Sequence, residues 1–188
     1  DIALRQGRSN LASLTAVDIR HAPNRARTDM NRIALMLYGC EICAGLAPED
    51  GPAPRLFTLL EVWLDLLEGP HPVGSASRIA LEAKALTFAG LCPGLVNCAA
   101  CGEPLADSAH FDDESGGGLH AWCGTGRPVS ADLLTQIDGL RRTPLSQTTA
   151  CQWNGPEWLI GDFLRYQLGR PVKARALLTD TLVTEKPR

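Results

Sequence analysis

Four residues in the second half of the chain have the types and spacing of metal ligands. Cys98 and Cys101 form a CxxC pair followed by a glycine, and His120 and Cys123 form a second pair after 18 intervening residues. In such a knuckle two thiolates reach one ion while nearby backbone amides donate to the sulfurs. We therefore predict one zinc ion held by Cys98, Cys101, His120 and Cys123. Four protein ligands close the coordination sphere, which is typical of a structural rather than a catalytic zinc.

Other cysteine and histidine residues offer alternatives to this ligand set. His110 could replace His120 as the nitrogen ligand, although it lies outside the paired spacing. Cys40 and Cys43 form another CxxC, but it falls inside a predicted apolar helix, so we expect core thiols there. A redox CxxC would follow a strand at the start of a helix, and nothing of the βαβ type surrounds the first ligand pair.

The sequence contains no catalytic constellation that we can identify. His21 and His71 have no recognisable nucleophile or carboxylate partner, and no Gly-rich phosphate loop or HExxH motif occurs. We therefore expect a protein without enzymatic turnover. A small zinc hydrolase is the alternative, and it would need His110 or His120 in a three-ligand site that leaves one position open for water.

The cysteine count and the hydropathy pattern bear on the compartment. Seven cysteines is an odd number, and their clustering indicates thiols or a metal site in a reducing environment rather than a disulfide framework. The longest nearly uncharged stretch, at 33–47, is too short to span a bilayer. No basic segment followed by an apolar one opens the sequence, so we expect that a signal peptide is absent or that the N-terminus is incomplete. We therefore expect a cytoplasmic protein that does not enter membranes.

Charge is distributed unevenly along the chain. The net charge is −3, but residues 1–32 hold six Arg against three Asp, and residues 33–134 hold four basic against thirteen acidic residues. Residues 135–188 hold eight basic against five acidic residues. If the two basic ends meet in the fold, they could form a face that attracts phosphate. The alternative is a set of separate solvated side chains. The candidate DNA contacts are Arg5, Arg8, Arg25, Arg27, Arg170, Lys173 and Arg175.

The elements that must position these residues are mostly helices. Apolar periodicity and capping residues predict helices from Thr28 or Asp29 towards Pro48, from Pro54 through Leu67, from about Ser77 to Gly90, from Ser130 through Leu140, from near Pro156 through Leu164, and at about 174–178. The first is apolar nearly all round, so we expect it to be central. The second carries one acidic stripe, Glu61, Asp65 and Glu68, on its solvent face. Residues 1–20 alternate weakly about a turn at 7–10, which indicates one or two strands.

Several segments together resemble the C-terminal region of bacterial RecO proteins. The resemblance covers most of the chain and rests on the Tyr-Gly-Cys-Glu run at 38–41, the leucine-rich helix at 56–60, the run from Leu81 through Gly90 and Pro93 into the CxxC, and the Leu-Gly-Arg-Pro-Val-Lys-Ala-Arg ending at 168–175. Two positions depart from the family pattern. His120 stands where the family often has cysteine, and Ala174 stands where it has serine.

This resemblance implies a mainly α fold, a helical bundle with an inserted zinc-ribbon-like knuckle and a remnant strand of an N-terminal OB barrel. Residues 1–24 would be the remnant of the OB-fold domain, and residues 25–188 the helical domain with its zinc-binding insert at about 95–127. It also implies a DNA repair and recombination mediator that binds single-stranded DNA, with double-stranded DNA as a further ligand.

The partners implied by the resemblance are RecR and single-stranded DNA-binding protein, with which such a mediator anneals strands and loads RecA. The acidic stripe could face a basic surface of RecR. The tail of single-stranded DNA-binding protein is acidic and ends in an apolar residue, so its site needs an apolar pocket rimmed by Arg or Lys. We expect a monomer when the protein is alone. A zinc-stabilised interaction scaffold that does not bind DNA is the competing interpretation.

Overall fold

The computed structural model describes residues 1–7, 12–20 and 22–182, and it is mainly helical with two small sheets. The helices are α1 (Met30–Leu46), α2 (Pro54–Glu68), α3 (Ser75–Phe88), α4 (Ala131–Arg142), α5 (Trp158–Leu168) and α6 (Arg175–Leu182). The strands are β1 (Ile2–Gln6), β2 (Ala12–Val17), β3 (Ser108–Asp112), β4 (Gly117–Leu119) and β5 (Arg127–Ser130). Short 3₁₀ segments lie at Ala26–Thr28 and Leu145–Ala150. No helix in the described part of the chain is long and apolar enough to cross a membrane.

Capping residues mark the predicted helix starts correctly. The Asp29 side chain accepts hydrogen bonds from the amides of Asn31 and Arg32, so α1 begins where the sequence predicts. The Ser130 hydroxyl accepts from the amide of Leu133 in the same way at the start of α4. Each cap satisfies amides that have no partner within the helix.

The central helix of the bundle is α3, not α1 as the apolar pattern suggested. Its residues are buried almost without interruption from Ala76 to Ala83, and it packs against α1, α2, α4 and α5. Alanines at 76, 80, 83 and 85 leave room for neighbouring helices to approach on several sides. In contrast, α1 exposes Leu37 and other residues along one side.

A buried polar network joins α1, α3 and the residue before α5. The Tyr38 hydroxyl donates to Glu82 Oε1 at 2.6 Å, and Arg78 Nη2 donates to Glu157 Oε2 at 2.6 Å. Burial raises the pKa of Glu82, although the nearby Arg78 guanidinium opposes this shift. Burial also raises the pKa of Tyr38, and the neighbouring Glu82 adds to that effect. The network therefore links the helices through buried polar contacts, although Arg78 Nε and Glu82 Oε2 have no hydrogen-bond partner among the described residues.

α1 and α2 come into close contact at a glycine. The Trp63 indole is fully buried, and its Nε1 donates to the Leu35 carbonyl at 2.9 Å. A Cβ atom on Gly39 would lie only 2.4 Å from Trp63 Cδ1. The glycine of the Tyr-Gly-Cys-Glu run therefore lets the indole lie against the helix backbone.

The N-terminal segment forms a two-stranded antiparallel hairpin, β1–β2, rather than a single strand. Ile2 pairs with Val17 and Leu4 pairs with Leu14, so these four apolar side chains share one face. All four are more than half exposed. An isolated two-stranded hairpin is marginally stable in water, and such a face normally packs against other structure. The predicted turn at 7–10 lies mostly outside the described residues.

Candidate metal centre

The predicted ligands come together in one cluster. The ligand atoms of Cys98, Cys101, His120 and Cys123 all lie within 4.8 Å of one another. Cys101 Sγ lies 3.5 Å from His120 Nδ1, and Cys123 Sγ lies 3.8 Å from the same nitrogen. Donor atoms around a tetrahedral zinc, with bonds of about 2.0–2.3 Å, are roughly 3.5–3.8 Å apart. The cluster is therefore able to hold a metal ion, and its donor spacing fits zinc.

Two backbone turns bring the ligand pairs together. In the first, the Gly102 amide donates to the Cys98 carbonyl at 2.9 Å, and Gly102 adopts φ +80°, which favours glycine. In the second, which follows β4, the Cys123 amide donates to the His120 carbonyl at 2.9 Å. Between them, the Ala99 amide donates to the Gly118 carbonyl at 2.8 Å. The site is thus built from local turns and one long-range backbone contact.

The orientation of His120 suits a metal ligand. Its Nε2 lies 3.0 Å from the Pro104 carbonyl oxygen, which can only accept a hydrogen bond. Nε2 therefore carries the proton, and the lone pair of Nδ1 faces the thiols. The imidazole is 4% exposed, and Trp122 stacks on it with ring centroids 4.4 Å apart and planes 5° from parallel.

The cysteine environment favours a bound cation. Burial tends to raise the pKa of Cys98, but backbone amides of Cys101, His120 and Ala100 donate to its sulfur and lower the pKa to about 6. Burial and the neighbouring sulfurs of Cys101 and Cys98 raise the pKa of Cys123 to about 11. Sulfurs this close together repel one another when they are all ionised. A bound metal ion removes that repulsion and displaces their protons.

The rival ligands lie elsewhere. His110 lies in β3, where it pairs with Leu119 and Pro128, and it is not part of the cluster. Cys43 is buried in α1, and its burial raises its pKa to about 12. Burial likewise raises the pKa of Cys40. Both thiols therefore have little thiolate character; Cys43 is a core group, as the sequence predicted, whereas Cys40 is only half-buried.

The insert is joined to the helical bundle through Arg127, a residue that the sequence did not single out. Its guanidinium bonds to Asp113 in the hairpin turn and to Asp162 in α5. It also lies 5.0 Å from the centre of the Trp158 ring. Phe111 packs beside it, edge-on to Phe163 of α5, with ring centroids 5.7 Å apart. The metal-binding insert is thus packed against the bundle and is not a separate appendage.

Comparison with known proteins identifies the family. A family model described as "Recombination protein O C terminal" matches residues 27–176. The chain belongs to this family. The resemblance inferred from the sequence motifs is therefore confirmed.

Curated relatives carry the description "DNA repair protein RecO". One from Myxococcus xanthus is 33% identical over 174 residues, which cover 89% of this chain and 70% of the relative. One from Anaeromyxobacter sp. strain K is 32% identical over 182 residues, covering 92% of this chain and 71% of the relative. One from Geobacter sulfurreducens is 37% identical over 138 residues, covering 71% of this chain and 54% of the relative.

Two RecO-like motifs that are far apart in sequence meet at Glu41. Its carboxylate accepts hydrogen bonds from the amides of Lys173 and Ala174 at 3.0 and 2.9 Å. Arg170 Nη1 donates to the same carboxylate at 3.2 Å. Glu41 therefore satisfies the amide of Ala174 at the turn before α6. The Tyr-Gly-Cys-Glu run thus holds the family's C-terminal ending in place.

The C-terminal cations differ in how far their charge is neutralised. Arg170 pairs with Glu41, and Arg175 pairs with Asp162 at 3.0 Å. The Lys173 side chain is exposed and makes no ion pair with the described residues. Of the three predicted DNA contacts at this end, Lys173 is therefore the one whose charge is uncompensated.

Among the described residues, the N-terminal candidate DNA contacts form no ion pair, although Arg25 helps to lower the pKa of the nearby Glu68. Arg5 is exposed on β1, and Arg27 donates only to the Pro23 carbonyl and the Asn24 side chain. The Arg25 amide bonds to Glu68, while its side chain makes no ion pair within the described segments. Arg8 lies outside the described residues.

The two basic ends do not converge on one spot. Arg25 and Arg27 precede the start of α1, whereas Arg170 bonds to Glu41, twelve residues beyond Asp29, the N-cap of that helix. At 1.5 Å per residue this is a separation of roughly 18 Å along the helix axis. A phosphate-binding face that used both clusters would have to run along the length of α1.

The acidic stripe of α2 is only partly available to a partner. Glu61 and Asp65 are exposed. Glu68, in contrast, accepts hydrogen bonds from the amides of Arg25 and Ala26 at 3.0 and 2.8 Å. These contacts lower the pKa of Glu68. The third member of the stripe therefore fastens the segment before α1 to the bundle.

Proposed function

We propose that this chain is part of a DNA repair and recombination mediator that binds DNA and anneals single strands. With RecR, it would help to load RecA onto single-stranded DNA covered by single-stranded DNA-binding protein. Family membership over residues 27–176 carries this proposal. In this role the metal, which we propose to be one zinc ion, is structural. Cys98, Cys101, His120 and Cys123 would hold it and so keep the insert folded on the bundle.

We also propose that residues 1–24 belong to an OB-fold domain and residues 25–188 to the helical domain with its insert at about 95–127. The exposed apolar face of the β1–β2 hairpin supports this division, since a strand pair with such a face suits a larger sheet. In a family of DNA repair proteins, an OB barrel would supply the aromatic stacking surfaces that single-stranded DNA requires.

DNA binding should depend on the cations that lack an acidic partner. We expect the triple variant Arg5→Gln, Arg25→Gln and Lys173→Gln to bind a labelled oligothymidylate more weakly at low salt. Each lost phosphate contact should reduce the slope of log affinity against log salt by about 0.7. Fluorescence anisotropy over a salt series measures both quantities.

The matched control for this triple variant is Arg142→Gln, whose cation is already paired with Asp138. Charge reversal at Arg170 or Arg175 is a poorer probe, because it would break the pairs with Glu41 and Asp162 and disturb the fold. If the triple variant keeps the affinity and salt slope of the unmodified chain, these residues do not bind DNA. Absence of DNA binding by the unmodified chain at low salt would favour the scaffold alternative.

A groove between α2 and α3 has the chemistry expected for the tail of single-stranded DNA-binding protein. It has a volume of about 420 Å³ and an apolar floor that includes Leu59, Val62 and Phe88. Arg55 and Lys84 rim it. Lys84 Nζ donates to the Arg141 carbonyl at 2.6 Å, so Arg55 is the rim cation left for a partner, and its guanidinium lies 6.0 Å from the Phe88 ring centre. An acidic peptide that ends in an apolar residue could place that side chain in the groove and its carboxylates on the rim.

A second cavity, of about 260 Å³ beside the start of α1, also contains two arginines. There, however, Arg32 donates to backbone carbonyls at the end of α2, and Arg78 is held by Glu82 and Glu157. Its cations are thus already satisfied within the protein. The α2–α3 groove is therefore the better candidate for the acidic tail.

We expect an acidic peptide ending in phenylalanine to bind the chain, and Arg55→Ala to weaken that binding about tenfold, because one charge-assisted contact on an apolar rim is lost. Isothermal titration calorimetry measures the effect. The same peptide ending in glycine should bind far more weakly, and Arg165→Ala, on a different surface, should behave like the unmodified chain. Equal affinity of the Arg55→Ala variant would eliminate this groove as the site.

We further propose RecR as a partner. A contact through the acidic stripe of α2 would have to use Glu61 and Asp65, since Glu68 is occupied by the segment before α1. Two exposed carboxylates are a small electrostatic surface, so they would orient a basic partner more than they would determine its affinity.

A further inference from the structure

The most exposed large apolar side chain among the described residues lies beside the metal ligands. Trp122 is 81% exposed. One face of its indole rests on the His120 ring at 4.4 Å and nearly parallel to it. The exposed area therefore belongs mainly to the opposite face and the ring edges. His120 is itself fixed by the Pro104 carbonyl, so the indole is held against a rigid support with one face available to a partner.

The segment that carries this indole is acidic. Residues 94–126 contain five carboxylates and no Lys or Arg. Asp113 is neutralised by Arg127, whereas Glu103, which directly precedes Pro104, is exposed. A divalent ion with three thiolate ligands adds a net formal charge of −1 at the centre itself. Trp122 therefore belongs to a segment with an excess of negative charge, which lies next to Glu103 and Pro104 through its contact with His120.

This charge decides between two kinds of occupant. A nucleobase could stack on the indole, but its phosphates would meet carboxylates, and the insert's Arg127 is already paired with Asp113 and Asp162. An arginine side chain is attracted both by the indole face and by the surrounding carboxylates. We propose that Trp122 and the acidic insert form a docking surface for a basic segment of a partner protein, with an arginine stacked on the free face of the indole.

The proposal is tested on the metal-loaded chain with an acetylated, amidated Arg-Gly-Arg-Gly-Arg peptide at low salt. We expect the indole signal of Trp122, one of four tryptophans, to shift on titration in ¹H–¹⁵N correlation spectra. Trp122→Leu keeps an apolar contact on His120 but removes the aromatic face. It should weaken binding about fivefold, as expected for loss of one cation–π contact, while the metal content stays unchanged.

Two further comparisons separate stacking from simple charge attraction. The Lys-Gly-Lys-Gly-Lys peptide should bind the unmodified chain more weakly than the arginine peptide does. The two peptides should bind Trp122→Leu with equal affinity, because the indole face that favours arginine is gone. Glu103→Gln should weaken both peptides, whereas Phe57→Ala, which removes an exposed aromatic ring from α2, should change neither affinity.

Unchanged peptide affinity in Trp122→Leu would overturn the proposal. So would a larger shift of the Trp122 indole signal with oligothymidylate than with the arginine peptide, since that result would make the surface a base-stacking site. If Trp122→Leu loses metal, Glu103→Gln decides the matter, because that residue is not a ligand and its loss should still weaken the arginine peptide. Unchanged affinity in Glu103→Gln would then count against the proposal.

Discussion

Replacing Cys98 by serine is expected to release the metal and unfold the insert. Cys98 is 2% exposed, and its neighbours contribute the other ligand atoms within 4.8 Å. Without the ion, two sulfurs and one imidazole remain crowded in the two turns, with no metal to hold these side chains together. The unmodified chain should contain about one zinc per molecule by elemental analysis. The variant should contain little zinc.

The Cys98→Ser substitution should also destabilise the helical bundle, because the insert contributes side chains to the hydrophobic core of the bundle. Phe111 and Ala109 of β3 are buried, and Phe111 packs against Phe163 of the bundle. We expect a loss of several kcal/mol and a fall in melting temperature of about 10 °C, since each kcal/mol corresponds to roughly 2–4 °C in a chain of this size. Far-ultraviolet circular dichroism should keep most of its helical signal, because helices α1 to α6 contain none of the ligands.

The matched control is Cys92→Ser, which removes an exposed cysteine outside the cluster and should change neither the zinc content nor the melting temperature. A chelator should reproduce the Cys98→Ser melting curve with the unmodified chain. Full metal occupancy together with unchanged stability in Cys98→Ser would refute the ligand assignment.

Replacing glycine by alanine is expected to lower the stability of the protein at position 39 and to raise it at position 139. At position 39 of α1 an added methyl would lie 2.4 Å from Trp63 Cδ1, and the buried indole cannot move without losing its bond to the Leu35 carbonyl. Gly39→Ala should therefore destabilise the protein by about 3 kcal/mol, the upper part of the range for overpacking a core.

Gly139 lies in α4, is exposed, and has no atom within 4 Å of the point that an added Cβ would occupy. Gly139→Ala should stabilise the protein by up to about 1 kcal/mol, because alanine loses less backbone entropy in a helix. Urea denaturation of both variants measures the difference. Equal effects at the two positions would show that the Trp63 contact does not constrain α1.

The metal-ligand set and the helix starts could be predicted from the sequence because they depend on local spacing. Two cysteines separated by two residues can reach one ion whatever the rest of the fold does. A side chain such as Asp29 or Ser130 caps the amides two or three residues ahead of it. These interactions are encoded within a few residues, so short patterns suffice to find them.

Which cations are neutralised was decided by the tertiary structure. Glu41 and Arg170 are 129 residues apart in sequence, yet they form an ion pair. Nothing in the basic ending at 170–175 indicates that Lys173 is left unpaired while its neighbours find carboxylates on α1 and α5. Charge counts along the chain therefore located the basic segments but could not rank their members as DNA contacts.

Contacts between distant segments also explain why the sequence predicted the wrong central helix and did not single out Arg127. Hydropathy made α1 look most buried, but small residues let α3 accept neighbours on several sides. Arg127 joins the insert to the bundle through contacts in two separate elements. The sequence by itself determined the cysteine and histidine cluster that is able to hold a metal ion, most helices and the family. Only the tertiary structure decided the packing order and the pairing of charges, because those depend on which distant segments come together.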